Sequence, residues 1–226
     1  GSDDKVVLYD PATWSTVGEL SGHRDWVHAV AVCRELGVFC TASEDKTVRV
    51  WDIRTRKCVK KLTGHKTACH SIAFGKGQLM VGCQSNIYVW DTATWELTHR
   101  LTNHTHVLRA MTGGKHMSKK LSMEHGHTML EHRLPTSLYG HKIGGIVVQG
   151  KYMLTSVDDG SVWVWDAKTM EVERKLLAST APGTWVRPLQ LLSCWDAKRG
   201  KKRQKLVSGW ADGAVRVYDF RTWKLE

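Results

Sequence analysis

Proline is scarce in this chain, four in 226 residues, and no Gly/Ser tract or long charge block marks a linker between domains. A chain of this length supports one good-sized core or two small ones. Phenylalanine is rarer still, three against eleven Trp. That excess points to an aromatic placed repeatedly for structure rather than to one aromatic site. No apolar run approaches the roughly 18 residues of a membrane-spanning helix, and no secretory-signal pattern opens the chain. None of the six cysteines (Cys33, Cys40, Cys58, Cys69, Cys83, Cys194) belongs to a C-x-x-C pair. Most lie in apolar, strand-like runs, the usage of small buried hydrophobes in a reducing compartment. A soluble, intracellular protein, cytoplasmic, nuclear or both, is the expectation. Acidic residues are outnumbered 22 to 33, for a net charge of +11 and a pI near 9.5. Charge of that sign suits anionic partners without identifying one.

What is abundant is self-similarity, which decides a fold before any single residue does. "SEDKTVRVWDIRT" at 43–55 is echoed by "VDDGSVWVWDAKT" at 157–169. The ending returns in "DDKVVLYDPAT" at 3–13, "NIYVWDTAT" at 86–94 and "ADGAVRVYDFRT" at 211–222. Aligned on the aromatic-Asp pair, the copies end at Asp10, Asp52, Asp91, Asp166 and Asp219, each followed three residues on by Thr13, Thr55, Thr94, Thr169 or Thr222. Ahead of each pair, β-branched or aliphatic residues alternate with mixed ones (Val48/Val50 around Arg49, Val162/Val164 around Trp163), the period of a strand. A short charged strand and a Leu follow, and then Gly-His or Asn-His at His23, His65, His104 and His141. Asp52 and Asp91 are 39 residues apart, whereas Asp91 and Asp166 are 75 apart. The long gap predicts a degenerate copy, "HTMLEHRLPTSLYGH", with Glu131-His132 in place of the aromatic-Asp pair.

Five spaced aromatic-Asp copies interleaved with four Gly/Asn-His copies resemble the WD40-repeat family along essentially the whole chain. The resemblance implies an all-β fold, a propeller of four-stranded blades around a channel. Residues 1–226 are expected to form a single domain of about five full blades plus a half blade, part of a seven-bladed ring in a longer, multidomain chain. The resemblance also implies a buried hydrogen-bond chain within a blade, joining the Gly-His histidine, a Ser/Thr of the second strand, the turn Asp and the Trp. Here these map to His23, Thr41, Asp45 and Trp51, and again to His141, Thr155, Asp159 and Trp165. The third copy keeps His65 and Trp90 but has no Asp in a shortened turn. The last keeps Ser208 and Asp212, with Tyr218 for Trp and no His. Ser/Thr, His and Asp together also suggest a hydrolase triad, but a catalyst needs one such site and a scaffold needs one per blade. No enzyme activity, cofactor or metal is expected.

For function the resemblance implies binding of proteins or peptides on the face made by the Asp turns and the loops ahead of each first strand. Arg24, Trp26, Glu44, Lys66, His106, Lys142, Asp158 and Trp185 are the candidate contacts, exposed Trp and Arg being typical interface anchors. Half-buried packing is the alternative for Trp26 and Trp185. "FCTASEDKTVRVWDIR" at 39–54 also resembles the box by which WD40 substrate receptors dock on the adaptor of cullin-4 ubiquitin ligases, with Arg54 as the adaptor contact. "WDAKRGKKRQK" at 195–205 gathers Lys198, Arg199, Lys201, Lys202, Arg203 and Lys205 into one loop on the face opposite the Asp turns. Such a loop suits nucleic-acid phosphates or anionic lipid headgroups, or a nuclear-localisation signal, and its alternative is a solvated hairpin. Eight of the twelve histidines fall within residues 99–141, including two H-x-H pairs. No nearby Cys or paired carboxylate completes a metal set of known spacing, so a degenerate, exposed blade is expected there. "TGGKH" at 112–116 lacks the leading Gly and the Ser/Thr of a phosphate-binding loop. A non-enzymatic scaffold is therefore the leading reading, with a ligase receptor and an anionic-surface binder as its rivals.

Overall fold

The computed structural model describes residues 4–84, 86–102, 118–122, 128–133, 142–158, 160–177, 186–196 and 200–226. Their regular elements are strands. β1 (Val6–Tyr9) and β2 (Thr16–Leu20) form a two-stranded sheet, and β3 (Val27–Cys33), β4 (Val38–Ser43), β5 (Val48–Asp52) and β6 (Cys58–Leu62) a four-stranded antiparallel one. β7 (Cys69–Gly75), β8 (Gln78–Cys83), β9 (Ile87–Asp91) and β10 (Leu97–Thr102) repeat that order. So do β13 (Ile143–Gln149), β14 (Tyr152–Val157), β15 (Ser161–Asp166) and β16 (Val172–Leu177). β17 (Val186–Asp196), β18 (Lys201–Trp210) and β19 (Val215–Asp219) make a three-stranded sheet, with a single bridge from Tyr218 to Leu225 beyond it. No helix is long and apolar enough to cross a membrane among the described residues.

The Asp-Thr signature is a turn device. In all five copies the Asp carboxylate accepts the amide of the threonine three residues on, at 2.6 Å for Thr55 and 2.9 Å for Thr94. The next residue takes a left-handed conformation, with φ between 56° and 58° at Trp14, Arg56, Trp95, Met170 and Trp223. Its amide bonds back to the Asp carbonyl. A non-glycine residue there costs roughly 1–2 kcal/mol, which the carboxylate's bonds to the turn amides offset. The third strand of each repeat can thus reverse into the fourth without glycine.

Consecutive sheets stack face to face on apolar residues. Val6 and Leu8 meet Leu20, Phe39 and Trp51, joining the first sheet to the second. Cys40, Val48, Val50, Leu79 and Val81 join the second to the third, and Met80, Ile87, Val89, Ile143, Met153 and Trp165 the third to the fourth. Leu154, Val164, Leu206, Trp210 and Tyr218 complete the series. The inner strands β3, β7, β13 and β17 lie side by side in that order. Four cysteines are buried, but Cys58 is exposed and Cys194 half-buried, and all six are free thiols. The exposed Cys58 departs from the buried usage read from composition, because β6 turns an outer edge to solvent.

Two further strands lie between the third and fourth sheets in sequence. β11 (Ser118–Ser122) and β12 (Thr128–Arg133) pair with each other, and β12 runs parallel to β10 on the outer edge of the third sheet. β13 instead packs directly on β7, where the Ser71 hydroxyl donates to the Ile143 carbonyl at 3.2 Å. Gly82 makes that approach possible, since a Cβ there would lie 2.3 Å from Ser71 Oγ and 2.8 Å from Ile143 Cγ2. Sequence spacing counts residues; the stacking of inner strands is decided by which faces fit.

Candidate functional site

β4 carries Thr41 and β5 carries Trp51, and their antiparallel register brings both beside the histidine that precedes β3. His23 Nδ1 lies 2.9 Å from Asp45 Oδ2 and His23 Nε2 lies 2.7 Å from Thr41 Oγ1, while Trp51 Nε1 donates to that hydroxyl at 2.9 Å. Polarity runs one way along the chain: indole N–H to hydroxyl, hydroxyl to imidazole, imidazole N–H to carboxylate. Asp45 also accepts from the Thr47 amide and hydroxyl and from the Arg24 amide. His23 is 4% exposed, which leaves no room for a substrate at its ring and makes this a packing device.

Burial lowers the His23 pKa, outweighing the Asp45 carboxylate that favours its charged form. Burial alone would raise Asp45, but hydrogen bonds from Thr47 and His23 and from the Arg24 amide outweigh it and hold the carboxyl at about 2. The resting pair is therefore a neutral imidazole donating to a carboxylate. Both groups have folded pKa values below their unfolded ones, so their contribution is complete above about pH 6.5 and is lost on acidification. The histidine part is expected to fade first, below pH 6.5, and the Asp45 part between about pH 4 and 2. Melting temperatures across that range check this: Asp45→Asn should lower stability at pH 7 and flatten the decline below pH 4.

Other copies keep parts of the relay. Trp165 Nε1 donates to Thr155 Oγ1 at 2.9 Å; His141 and Asp159 lie outside the described residues. In the last copy Ser208 accepts from Trp210 Nε1 at 2.7 Å, Asp212 pairs with Arg216 at 2.7 Å, and the buried Tyr218 hydroxyl has no partner. The third copy is broken in an instructive way. Register places Val81, opposite Tyr88, where Thr41 stands opposite Arg49. His65 Nδ1 donates to the Lys46 carbonyl at 3.1 Å, while His65 Nε2 and Trp90 Nε1, both buried, find no partner. These are the two atoms that a hydroxyl at position 81 would join.

Above the relays, the starts of β3, β7 and β13 and the turns after β4 and β14 share one face. The Glu44 amide donates to the Trp26 carbonyl at 2.8 Å, and the Asp158 amide to the Lys142 carbonyl at 3.2 Å. Arg24, Trp26 and Lys66 are exposed, Trp26 at 57%, and Glu44, Lys142 and Asp158 are half-buried. His106 and Trp185 lie outside the described residues. Arg54 is exposed in the turn between β5 and β6, at the opposite end of the blade. The basic run is not one loop. Lys201, Lys202, Arg203 and Lys205 sit on β18, whose long hairpin with β17 reduces the connection to residues 197–200. Lys198 and Arg199 lie outside the described residues. Arg203 pairs with Asp219 at 3.5 Å and Lys205 with Glu226. A cleft of about 770 Å³ lies beside them, lined by Ser193, Lys201, Lys202, Arg203 and Arg221.

Residues 14–52 and 56–91 each match the repeat described as "WD domain, G-beta repeat". Residues 14–91 carry two WD40 repeats. Mitochondrial division protein 1 of Aspergillus niger is 25% identical over 93% of this chain and 34% of its own length. Nuclear distribution protein PAC1 of Arthroderma benhamiae is 26% identical over 93% of the chain and 40% of its own length. Nuclear distribution protein nudF of Aspergillus niger is 25% identical over 73% of the chain and 45% of its own length. The chain thus spans a third to under half the length of these relatives.

Two residues the motif reading passed over also stand on this loop face. His28 and His70 each follow a repeat histidine by five positions, in "HRDWVH" and "HKTACH". That recurrence was visible in the sequence. What it meant was not, because both residues fall on β-bulges.

Proposed function

We propose that this chain is a non-enzymatic platform that binds partner proteins or peptides through the face bearing Arg24, Trp26, Glu44, Lys66, Lys142 and Asp158. The observation carrying this reading is that three adjacent sheets deliver these residues to one face, around a tryptophan 57% exposed. A large exposed aromatic flanked by charged residues of both signs is the composition of an interface anchor and rim. Relatives named for mitochondrial division and for nuclear distribution align along most of the chain, which supports one platform serving different partners.

The test is affinity purification of the intact protein from nuclease-treated extract, with co-purifying proteins identified by mass spectrometry. Trp26→Ala combined with Lys66→Glu is expected to remove those proteins while the melting temperature stays within about 2 °C of wild type. Partners that survive this change would overturn the reading. A ubiquitin-ligase adaptor lost only with Arg54→Ala would replace it with the receptor reading. Capture on anionic vesicles lost only on reversing Lys201, Lys202 and Arg203 would replace it with the anionic-surface reading.

A further inference from the structure

β3 and β7 open with the same irregularity. Pairing with β4 runs from Val27 directly to Ala29, and pairing with β8 from Cys69 directly to Ser71, so His28 and His70 are the extra residues at the bulges of neighbouring inner strands. β13 makes the same bulge at Gly144. A bulge re-aims one side chain out of the alternation of its strand, and here it turns two imidazoles toward each other across the seam. Their ring centroids are 4.8 Å apart, with planes at 48°. Glu44, from the turn after β4, brings Oε2 to 2.6 Å from His28 Nε2. Nitrogen and oxygen atoms of all three side chains lie within 4.8 Å of one another. Among the described residues no other trio of His, Cys, Asp or Glu is gathered this way.

We propose that His28, Glu44 and His70 form a site for a divalent transition-metal ion of the zinc class. Two imidazoles and one carboxylate are a common donor set for such an ion, which leaves its remaining position to water. Tetrahedral coordination at 2.0–2.2 Å sets donor atoms about 3.4 Å apart. The widest pair must therefore close by about 1.4 Å, a movement within reach of a Glu side chain 43% exposed and a His side chain 26% exposed. On binding, the proton that His28 Nε2 donates to Glu44 leaves to solvent or passes to Nδ1, and the freed Nε2 lone pair takes the metal. The ion would tie the second sheet to the third at the rim of the loop face, with Trp26 and Lys66 beside it.

The test uses the full chain, stripped with a chelator and titrated with Zn2+ by calorimetry and with Co2+ by visible absorption. Wild type is expected to bind Zn2+ in the micromolar range and to develop the ligand-field bands of four-coordinate Co2+. His70→Gln and Glu44→Gln should each weaken this site at least tenfold, lowering the stoichiometry by one ion per chain, with the far-UV spectrum unchanged. Absence of heat and of Co2+ bands would overturn the site. So would binding that both variants retain, which would assign the ion to the histidine-rich residues 99–141.

Discussion

Replacing Thr41 with valine is expected to destabilise the protein by about 2–4 kcal/mol. The side chains nearly match in volume, so the loss comes from chemistry: Thr41 is fully buried and its hydroxyl serves both His23 Nε2 and Trp51 Nε1. Without it, two buried polar atoms lose their partners at once. The third blade already shows the outcome, since Val81 leaves His65 Nε2 and Trp90 Nε1 orphaned in the equivalent places. The reciprocal change, Val81→Thr, should therefore stabilise by about 1 kcal/mol. His65 donates from Nδ1 to the Lys46 carbonyl, so its Nε2 is ready to accept from the new hydroxyl, which in turn accepts from Trp90. Urea midpoints at constant m-value read both changes. A neutral Thr41→Val, or a destabilising Val81→Thr, would show that the relay does not carry the blade's stability.

Gly82→Val is expected to cost about 3 kcal/mol or more. The new Cβ alone would sit 2.3 Å from Ser71 Oγ and 2.8 Å from Ile143 Cγ2, and the residues around it, Ser71 and Ile143, are buried. Gly75→Val tests the other end of the same seam, where a Cβ would lie 2.2 Å from Val148 Cγ1. The Ser71 contact lies within the third sheet, but the Ile143 and Val148 contacts exist only if β13 packs against β7. Were the copy ending near His132 seated as a blade between them, Val148 and Ile143 would be a sheet away, Gly75→Val would be mild and Gly82→Val would keep only its clash with Ser71. Equilibrium unfolding of the two variants thus reads the order of sheets as well as their packing.

Much of the architecture is legible in the repeat. Strands end at Asp52, Asp91, Asp166 and Asp219 because period-2 alternation and the Asp-Thr turn are local chemistry, written wherever the turn is needed. The seam between third and fourth sheets is not local, and Asp-to-Asp distance says nothing about where an intervening stretch goes. The basic run shows a related limit. Lys201 to Lys205 look like loop by composition, but the strands flanking residues 197–200 are long enough to absorb them into β18. His28 and His70 were hidden for a third reason. Period-2 reasoning assigns every other residue to each face, and a bulge breaks that assignment at the positions where these histidines stand.

The way β10 reaches β13 has a consequence for how this chain tolerates change. Elsewhere an outer strand passes to the next inner strand in a few residues, six between Leu62 and Cys69, whereas forty separate Thr102 from Ile143. With β13 docked on β7, the stacking of the sheets does not measure that length. The entropy of closing a loop grows only logarithmically, so forty residues in place of six cost roughly 1.5–2 kcal/mol. Further lengthening adds about 0.6 kcal/mol per doubling. Within a strand an inserted residue shifts the register and turns the apolar face outward. An insertion between Thr102 and Ile143 that falls outside β11 and β12 leaves the register of the other sheets unchanged.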